Sequence, residues 1–282
     1  MTRDHNRGVR DDAFCYRRCL ACGVLHLADV PADLASFYPP TYFGLPELQQ
    51  LRAQAAVERY RIEIVQRHAA TGRLVEIGPG DGIFALQALE AGFDLAAIEP
   101  DAAAAAHLRA KLGIEVVESA SSEDELGGLG PAQAIVAWHV IEHVPRPWAL
   151  LEAAAESLLP GGVLVIATPN PHAFGLRVLG PRWPHVDAPR HLFLLPPAAV
   201  VARGRAAGLQ PLQLTATDPG SLHWNAFAWH YALRRPGASW LRENIAHLAG
   251  KAIARGLAPI ERHGLRGAAY TLVLGKARPS AS

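Results

Sequence analysis

Three glycines and two acids are the residues whose types and spacing first suggest chemistry. Gly78, Gly80 and Gly82 occupy alternate positions in "LVEIGPGDGIF", and Glu76 lies in the apolar run before them. Glycine is disfavoured inside strands and helices, so its recurrence here indicates a turn whose backbone N–H groups approach a ligand. Glu99 ends the next apolar run, "AAIEP", where a carboxylate can accept hydrogen bonds from both hydroxyls of a ribose. The pattern predicts a nucleoside site; the alternative is a tight turn that only caps a helix.

The spacing differs from the dinucleotide fingerprint G-x-G-x-x-G. Here the third glycine, Gly82, comes one position early, and Ile83 occupies the last fingerprint position. The pattern is instead E-x-G-x-G-x-G, which argues against a nicotinamide-dependent oxidoreductase.

The segments that must position these residues alternate between strand and helix. The predicted strands are "RLVEI", "FDLAAIE", "IEVVES", "AQAIVAW" and "GVLVIATP". The predicted helices between them are "GIFALQALEAG", "DAAAAAHLRAKLG" (opened by Asp101 and closed by Gly113) and "PWALLEAAAESLLPGG". Alternation of this kind predicts an α/β fold with a parallel sheet covered by helices on both faces.

The predicted core spans residues 72–217, and the rest of the chain flanks it on both sides in sequence. Residues 1–45 look separate and residues 46–70 read as a helix. After Pro169, a long segment rich in Pro, His and aromatic residues is typical of a functional loop. Residues 218–268 look like a helical insertion, with "SWLRENIAHLAGKAIARG" its clearest helix, and residues 269–275 form the last strand.

Composition excludes several classes of protein. The 282 residues carry 27 Lys and Arg against 26 Asp and Glu, so the chain lacks the excess of positive charge typical of proteins that bind nucleic acid. The charged N-terminus predicts no signal peptide, and no apolar run is long enough to span a membrane. Three cysteines do not make a disulfide framework. We expect a cytoplasmic protein.

Four stretches together resemble the class I S-adenosylmethionine-dependent methyltransferases, in particular the subgroup related to ubiquinone-biosynthesis O-methyltransferases. They are "VEIGPGDG", "IEPD", "VAWHVIEHVPRPWALLEAAAESLLPGGVLVIATPN" and "PRHLFLLPP". The resemblance covers about residues 72–215 and the last strand. It implies a Rossmann-like sheet of seven strands, the last antiparallel, and S-adenosylmethionine as cofactor.

The resemblance also implies roles for individual residues. Glu76 and the turn Gly78, Pro79, Gly80 and Gly82 would hold the methionine end of the cofactor. Glu99, with Pro100, would hold the ribose, and Ser119 and Ala120 would flank the adenine. Trp138 and His139 would lie near the reacting centre. Many relatives have an Asp near position 119, whereas this chain reads "ESASSEDE", so the adenine contact departs from the family pattern.

The expected reaction is transfer of a methyl group to a small-molecule acceptor, at oxygen. Alignment of the acceptor behind the methyl group supplies most of the rate, and a general base adds roughly 10²–10⁴-fold. Among the histidines near the ends of the fourth and fifth strands, His143 and His191 are the preferred candidates for that base. Each is also a candidate for a packing or capping role. The aromatic stretch "HWNAFAWHY" suits either core packing or a pocket for an apolar, planar or sugar acceptor.

The segment "HVIEHV" raises the question of a metal ion. His139, Glu142 and His143 have the spacing that places side chains on one face if the segment is helical, and a His-rich set would favour zinc, manganese or iron. The alternative, which we favour, is that Glu142 and His143 cap and orient the next helix, so no metal is predicted.

The N-terminal cysteines Cys15, Cys19 and Cys22 permit three interpretations. Their C-x₃-C-x₂-C spacing occurs in radical-type iron–sulfur enzymes, but the barrel those enzymes need is not predicted. "RRCLACGVLHL" and "FYPPTYFG" also resemble half of a zinc ribbon, although the first C-x-x-C pair is missing and zinc needs four ligands. We favour a metal-free, zinc-ribbon-like remnant over residues 1–45.

Two other functions stay open at this point: a non-catalytic scaffold that keeps the cofactor fold and, with less support, a nicotinamide-dependent oxidoreductase. The sequence predicts neither the oligomeric state nor the identity of the acceptor.

Overall fold

The computed structural model describes residues 1–39, 42–234 and 239–278. Parts of "FYPPTYFG", of the predicted insertion and of the C-terminus lie outside the described residues. The chain divides into two compact units. Unit 1 comprises Met1–Pro39, Thr168–Ala199 and Thr215–Thr271, and unit 2 comprises Pro40–Ala167, Val200–Leu214 and Leu272–Ser282. The first 39 residues cluster in unit 1 with later parts of the chain, and the division into residues 1–45 and 46–282 stays a prediction.

The described residues form a seven-stranded sheet and a three-stranded sheet. The strands are β1 Tyr16–Arg18, β2 Leu25–Leu27, β3 Gly72–Ile77, β4 Phe93–Ile98, β5 Glu115–Val117, β6 Ala132–Trp138, β7 Leu158–Pro169, β8 Phe193–Leu194, β9 Leu209–Thr215 and β10 Ala269–Lys276. The helices are α1 Leu48–Val57, α2 Tyr60–Gln66, α3 Ile83–Glu90, α4 Ala102–Leu112, α5 Ser122–Glu125, α6 Pro147–Ser157, α7 Phe174–Leu179, α8 Pro197–Ala206, α9 Pro219–Leu233 and α10 Trp240–Glu261.

The large sheet has the order β5-β4-β3-β6-β7-β10-β9. Strands β3 to β7 pair in parallel, with Val75 opposite both Ala96 and Ile135, and the last strands are antiparallel. The predicted Rossmann-like fold is confirmed. Its apolar strands pack on α2, α3 and α4 in one buried cluster, as a sheet covered on both faces requires. The carboxyl ends of β3, β4 and β6 lie side by side and position the predicted site residues.

Several predicted boundaries were wrong. The single helix over residues 46–70 is two helices, α1 and α2. Helix α6 ends at Ser157, and the residues "LLPGG" begin β7. Proline disfavours the helical conformation of the residue before it, so Pro160 explains this ending. Helix α10 runs beyond the predicted Gly256 to Glu261 and contains Pro259.

Unit 1 has its own small sheet and core. Strands β1, β2 and β8 pair antiparallel, so two strands from the N-terminal segment pair with one from the Pro- and His-rich segment. Phe37, Trp183 and Leu194 are fully buried in the core beneath them. The N-terminal segment is thus an integral part of this unit.

Candidate active site

The three glycines occupy the turn between β3 and α3, hereafter the glycine turn (residues 78–82). Gly78 and Gly80 have φ angles of 64° and 53°, a region that favours glycine. A Cβ atom on Gly78 would lie 2.7 Å from Val140, and one on Gly80 would lie 2.8 Å from Phe43. Both positions therefore exclude side chains, because the backbone is left-handed and because neighbouring residues already touch it.

Glu99 is buried at the end of β4 and joins the glycine turn to the next helix. Its two carboxylate oxygens accept hydrogen bonds from the backbone N–H groups of Gly80 and Asp101, each at 2.9 Å. Burial raises the pKa of this carboxyl, and the two backbone hydrogen bonds oppose that rise. Because each carboxylate oxygen can accept more than one hydrogen bond, Glu99 keeps acceptor capacity for a ligand.

Glu76 is a buried acid in β3. Its Oε2 atom has no hydrogen-bond partner among the described residues. Burial raises the pKa of Glu76 to about 8, against the opposing charge of Arg61, while the nearby Glu99 adds to the rise. A buried carboxyl with an unused oxygen is costly, and a ligand ammonium group would satisfy both its charge and its hydrogen bond.

Aromatic rings line the same end of the sheet. Trp138, the last residue of β6, lies near Phe84 and Tyr60, with ring centroids 5.6 and 6.5 Å away. The Arg61 guanidinium lies 5.4 Å from the Trp138 ring centroid. The Trp138 indole nitrogen is buried with no hydrogen-bond partner among the described residues. This end of the sheet therefore combines apolar rings, the Arg61 cation and the Trp138 N–H as an available hydrogen-bond donor.

The segment after β6 is a turn. His139 has a φ of 58°, which is incompatible with a continuing helix, and residues 141–143 form a turn before α6. The segment is therefore not a helix, so the shared helical face considered for His139, Glu142 and His143 does not form. His139 Nδ1 lies 3.6 Å from an oxygen of the buried Glu142, and the His143 N–H donates to the Val140 carbonyl. The capping role of Glu142 and His143, and the expectation that they hold no metal, stay predictions.

The other predicted cofactor residues flank these groups. Pro79 is buried in the glycine turn, whereas Pro100 is exposed beyond β4. Ser119 is half-buried after β5 and its Oγ accepts from the Ser121 N–H at 3.2 Å, and Ala120 is exposed. These residues follow β3, β4 and β5, which are neighbours in the sheet.

The two candidate bases belong to different units, His143 to unit 2 and His191 to unit 1. The Nδ1 atom of His191 lies 2.9 Å from the His185 carbonyl, so Nδ1 carries the proton and donates. Its Nε2 atom lies 3.7 Å from a carboxylate oxygen of Asp187. The Tyr16 hydroxyl donates to the His191 carbonyl at 2.5 Å. His191 is firmly positioned, and its role as a base stays a prediction.

Sequence reasoning missed three residues of the site: Phe43, Arg61 and Asp81. The Asp81 carboxylate accepts from the backbone N–H groups of Gly44 at 2.7 Å and Leu45 at 3.1 Å, which holds the Phe43 segment against the glycine turn. Asp81 lies inside the "GPGDG" motif, so its polar side chain among glycines was the one available signal. Nothing in the spacing of Phe43 or Arg61 indicates proximity to β3.

The cysteines lie at the hairpin formed by β1 and β2. All three are free thiols; Cys15 and Cys19 are half-buried and Cys22 is exposed. Among the residues that the structure describes, no group of three or more metal-ligating side chains includes them. The zinc-ribbon-like resemblance of this segment gains no support.

The comparisons with known proteins agree with this geometry. A family model described as "Methyltransferase domain" matches residues 49–214, more than half of the chain. A ubiquinone biosynthesis O-methyltransferase of Xanthomonas axonopodis pv. citri (strain 306) is 31% identical over 168 residues, which are 55% of this chain and 70% of the relative. The chain therefore belongs to the methyltransferase-domain family.

Solved structures share the fold. A SAM-dependent methyltransferase from Archaeoglobus fulgidus is 17% identical with a TM-score of 0.53, covering 79% of this chain and 93% of that one. A coclaurine N-methyltransferase bound to N-methylheliamine and SAH is 14% identical with a TM-score of 0.51, covering 79% and 72%. The chain is an S-adenosylmethionine-dependent methyltransferase, which confirms the predicted enzyme class and cofactor and leaves the oxidoreductase and scaffold alternatives without support. The described residues contain no helix that could cross a membrane.

Proposed function

We propose that this methyltransferase modifies a small molecule at an oxygen atom and binds its cofactor at the glycine turn. The observation that carries the proposal is the buried Glu76, whose Oε2 atom lacks a partner beside a glycine turn joined to Glu99. The acceptor atom is inferred from the Xanthomonas relative, which is named as an O-methyltransferase.

The residues of unit 2 fit the parts of S-adenosylmethionine. Glu76 would take the α-ammonium group, and Arg61, the nearby cation, would take the α-carboxylate. Glu99 would accept hydrogen bonds from the ribose hydroxyls, and Ser119 and Ala120 would flank the adenine. Pro79 and Pro100 would shape the turns that hold these groups, and Trp138 and His139 would adjoin the reacting end.

The cofactor supplies a methyl group already activated by a sulfonium. The task of the chain is then to hold an acceptor oxygen in line with that group and to remove its proton. Alignment contributes roughly 7–11 kcal/mol, so positioning dominates the rate. We propose His191 or His143 as the group that takes the proton.

Calorimetry with S-adenosylhomocysteine and, as a control, NAD tests the cofactor site. Binding of the first and none of the second is expected. A panel of phenols, alcohols, amines and thiols, followed by mass spectrometry for products one methyl group heavier, tests the acceptor. Methylation confined to amines or thiols would contradict the choice of oxygen without affecting the cofactor site.

A further inference from the structure

Unit 1 contains a cleft that the methyl-transfer proposal does not use. Its volume is about 760 Å³, within the range of small-molecule sites. The residues that define its character are Arg3, Arg7, Arg10, Arg182, Arg234 and Tyr231. We propose that this cleft binds a small organic anion, in which a phosphate or carboxylate group is joined to a flat ring.

The charge of the lining favours an anion. Five arginines contribute to it against two acids, Asp4 and Asp11. Asp4 is turned inward: its oxygens accept from the buried Arg190 guanidinium at 2.6 and 3.0 Å. Its negative charge is therefore compensated within unit 1, and the lining itself carries more positive than negative side chains.

The segment that carries three of the arginines is held in place before any ligand arrives. Besides Arg190, the Asp4 carboxylate accepts the backbone N–H groups of Arg7 at 2.9 Å and Val9 at 3.0 Å. The Asn6 amide donates to Asp187 at 2.7 Å. A fixed backbone lowers the entropic cost of ordering the arginines around a ligand.

The ion pairs that these arginines already form compete only weakly with an incoming anion. Arg3 pairs with Asp11, Arg10 pairs with Asp12 and Asp33, and Arg234 pairs with Glu243. The three arginine side chains are 40–51% exposed. Exposed ion pairs are screened by solvent and contribute little to stability. An anion that enters the cleft can therefore take over these donors at little cost.

One wall offers a surface for a ring. Tyr231 stacks on Phe227, with centroids 4.0 Å apart and planes 23° apart, and the Arg234 guanidinium lies 5.1 Å from the Tyr231 centroid. Val178, also in the lining, is 55% exposed. A ligand with a flat apolar part beside its charged group would bury this surface.

Direct binding to the full-length chain tests the proposal, with adenosine 5′-monophosphate, 4-hydroxybenzoate and inorganic phosphate as probes in calorimetry. We expect at least one ring-bearing anion to bind more tightly than phosphate, with an affinity that falls as salt rises. Arg182→Gln and Arg7→Gln should each weaken that binding by roughly tenfold. Arg17→Gln, which removes an exposed arginine of β1 outside the cleft, is the matched control and should leave it unchanged.

Three results would overturn the proposal: no binding of any probe at millimolar concentration, equal binding of phosphate and the ring-bearing anions, or equal losses in Arg17→Gln and Arg182→Gln. The affinity for S-adenosylhomocysteine, measured on the same variants, should not change. Because the readout is direct binding, failure here leaves the proposed methyl transfer untouched.

Discussion

The backbone N–H of Gly80 donates to the carboxylate of Glu99 at 2.9 Å. This bond joins the turn after β3 to the acid at the end of β4, so two motifs 19 residues apart form one site. The Glu99 carboxylate therefore holds the glycine turn in place before a ligand adds its own hydrogen bonds.

Glu99→Gln should weaken binding of S-adenosylhomocysteine by tenfold or more. The amide replaces one acceptor oxygen with a donor, which faces the N–H of Gly80 or of Asp101, and charge-assisted hydrogen bonds of about 1.5–3 kcal/mol each are lost. Calorimetry measures the change. Glu115→Gln, an exposed acid in β5, is the matched control, and an equal loss in that variant would show a general effect of charge.

Gly80→Ala should abolish cofactor binding at micromolar concentration. Its new Cβ would lie 2.8 Å from Phe43, so the turn or the Phe43 segment must move. Gly92→Ala has the same left-handed cost, with φ of 86°, but meets nothing within 4 Å. The control should therefore lose stability by about 1 kcal/mol and keep its affinity, whereas similar affinity losses in both variants would rule out the contact with Phe43 as the cause.

Glu76 should make both stability and cofactor affinity depend on pH. Its pKa is about 8 in the folded chain against an ordinary 4.5, so between these values the folded state holds a proton that the unfolded state lacks. Stability of the cofactor-free protein therefore falls as pH rises from 4.5 to 8. Affinity for S-adenosylhomocysteine should rise from pH 6 to 8, because an ammonium group prefers the ionised carboxylate.

Glu76→Gln tests both effects. The variant should be more thermostable than the parent at pH 8 to 9 without cofactor, and its weaker affinity should be flat across the same pH range. Thermal unfolding and calorimetry at four pH values give the two curves. A parent protein whose affinity does not change with pH would contradict the proposed contact with the ammonium group.

His191→Asn should lower turnover and leave cofactor affinity unchanged, because His191 is proposed to act on the acceptor and not on the cofactor. The loss expected for a general base is roughly 10²–10⁴-fold, and it should flatten the pH–rate profile. His172→Asn, at an exposed histidine of the same segment, is the control. Full turnover in His191→Asn would show that His191 is not the general base, so that His143 takes the proton or the reaction needs no base.

The sequence alone was sufficient for the parts of the fold that depend on local pattern. Alternating apolar runs and capped helices predicted β3 to β7 and α3, α4 and α6, because a sheet buried on both faces requires that pattern. The glycines and Glu99 were placed correctly at strand ends and Glu76 inside β3, since the ends of parallel strands follow from the same alternation.

Long-range contacts could not be predicted in this way. Phe43 contacts Gly80, and Asp4 pairs with Arg190 across 186 residues. No periodicity or motif in the sequence around either residue indicates which distant residue it contacts. The N-terminal cysteines drew attention to metal chemistry, whereas the buried acid Asp4 was what tied that segment to unit 1.

Arg190→Gln should destabilise unit 1 by about 3–5 kcal/mol. Arg190 is fully buried and bonds both Asp4 and Asp187, and removing one partner leaves buried carboxylates without compensation. Burial acts to raise the pKa of Asp187, but the charge of His191 and the Arg190 hydrogen bonds bring it to about 2, below its ordinary 3.8. The stabilisation is therefore complete above about pH 4 and is lost as pH falls through 2.

Thermal unfolding at pH 7 and in acid measures this contribution. Arg52→Gln breaks an ion pair with Glu90 in which both side chains are more than half exposed, so it should cost less than about 1 kcal/mol. We expect the difference between the two variants to be large at pH 7 and to shrink below pH 3, where Asp187 in the parent begins to take up a proton. Equal and small losses in both variants would contradict a structural role for the buried ion pair and, with it, the fixed N-terminal segment.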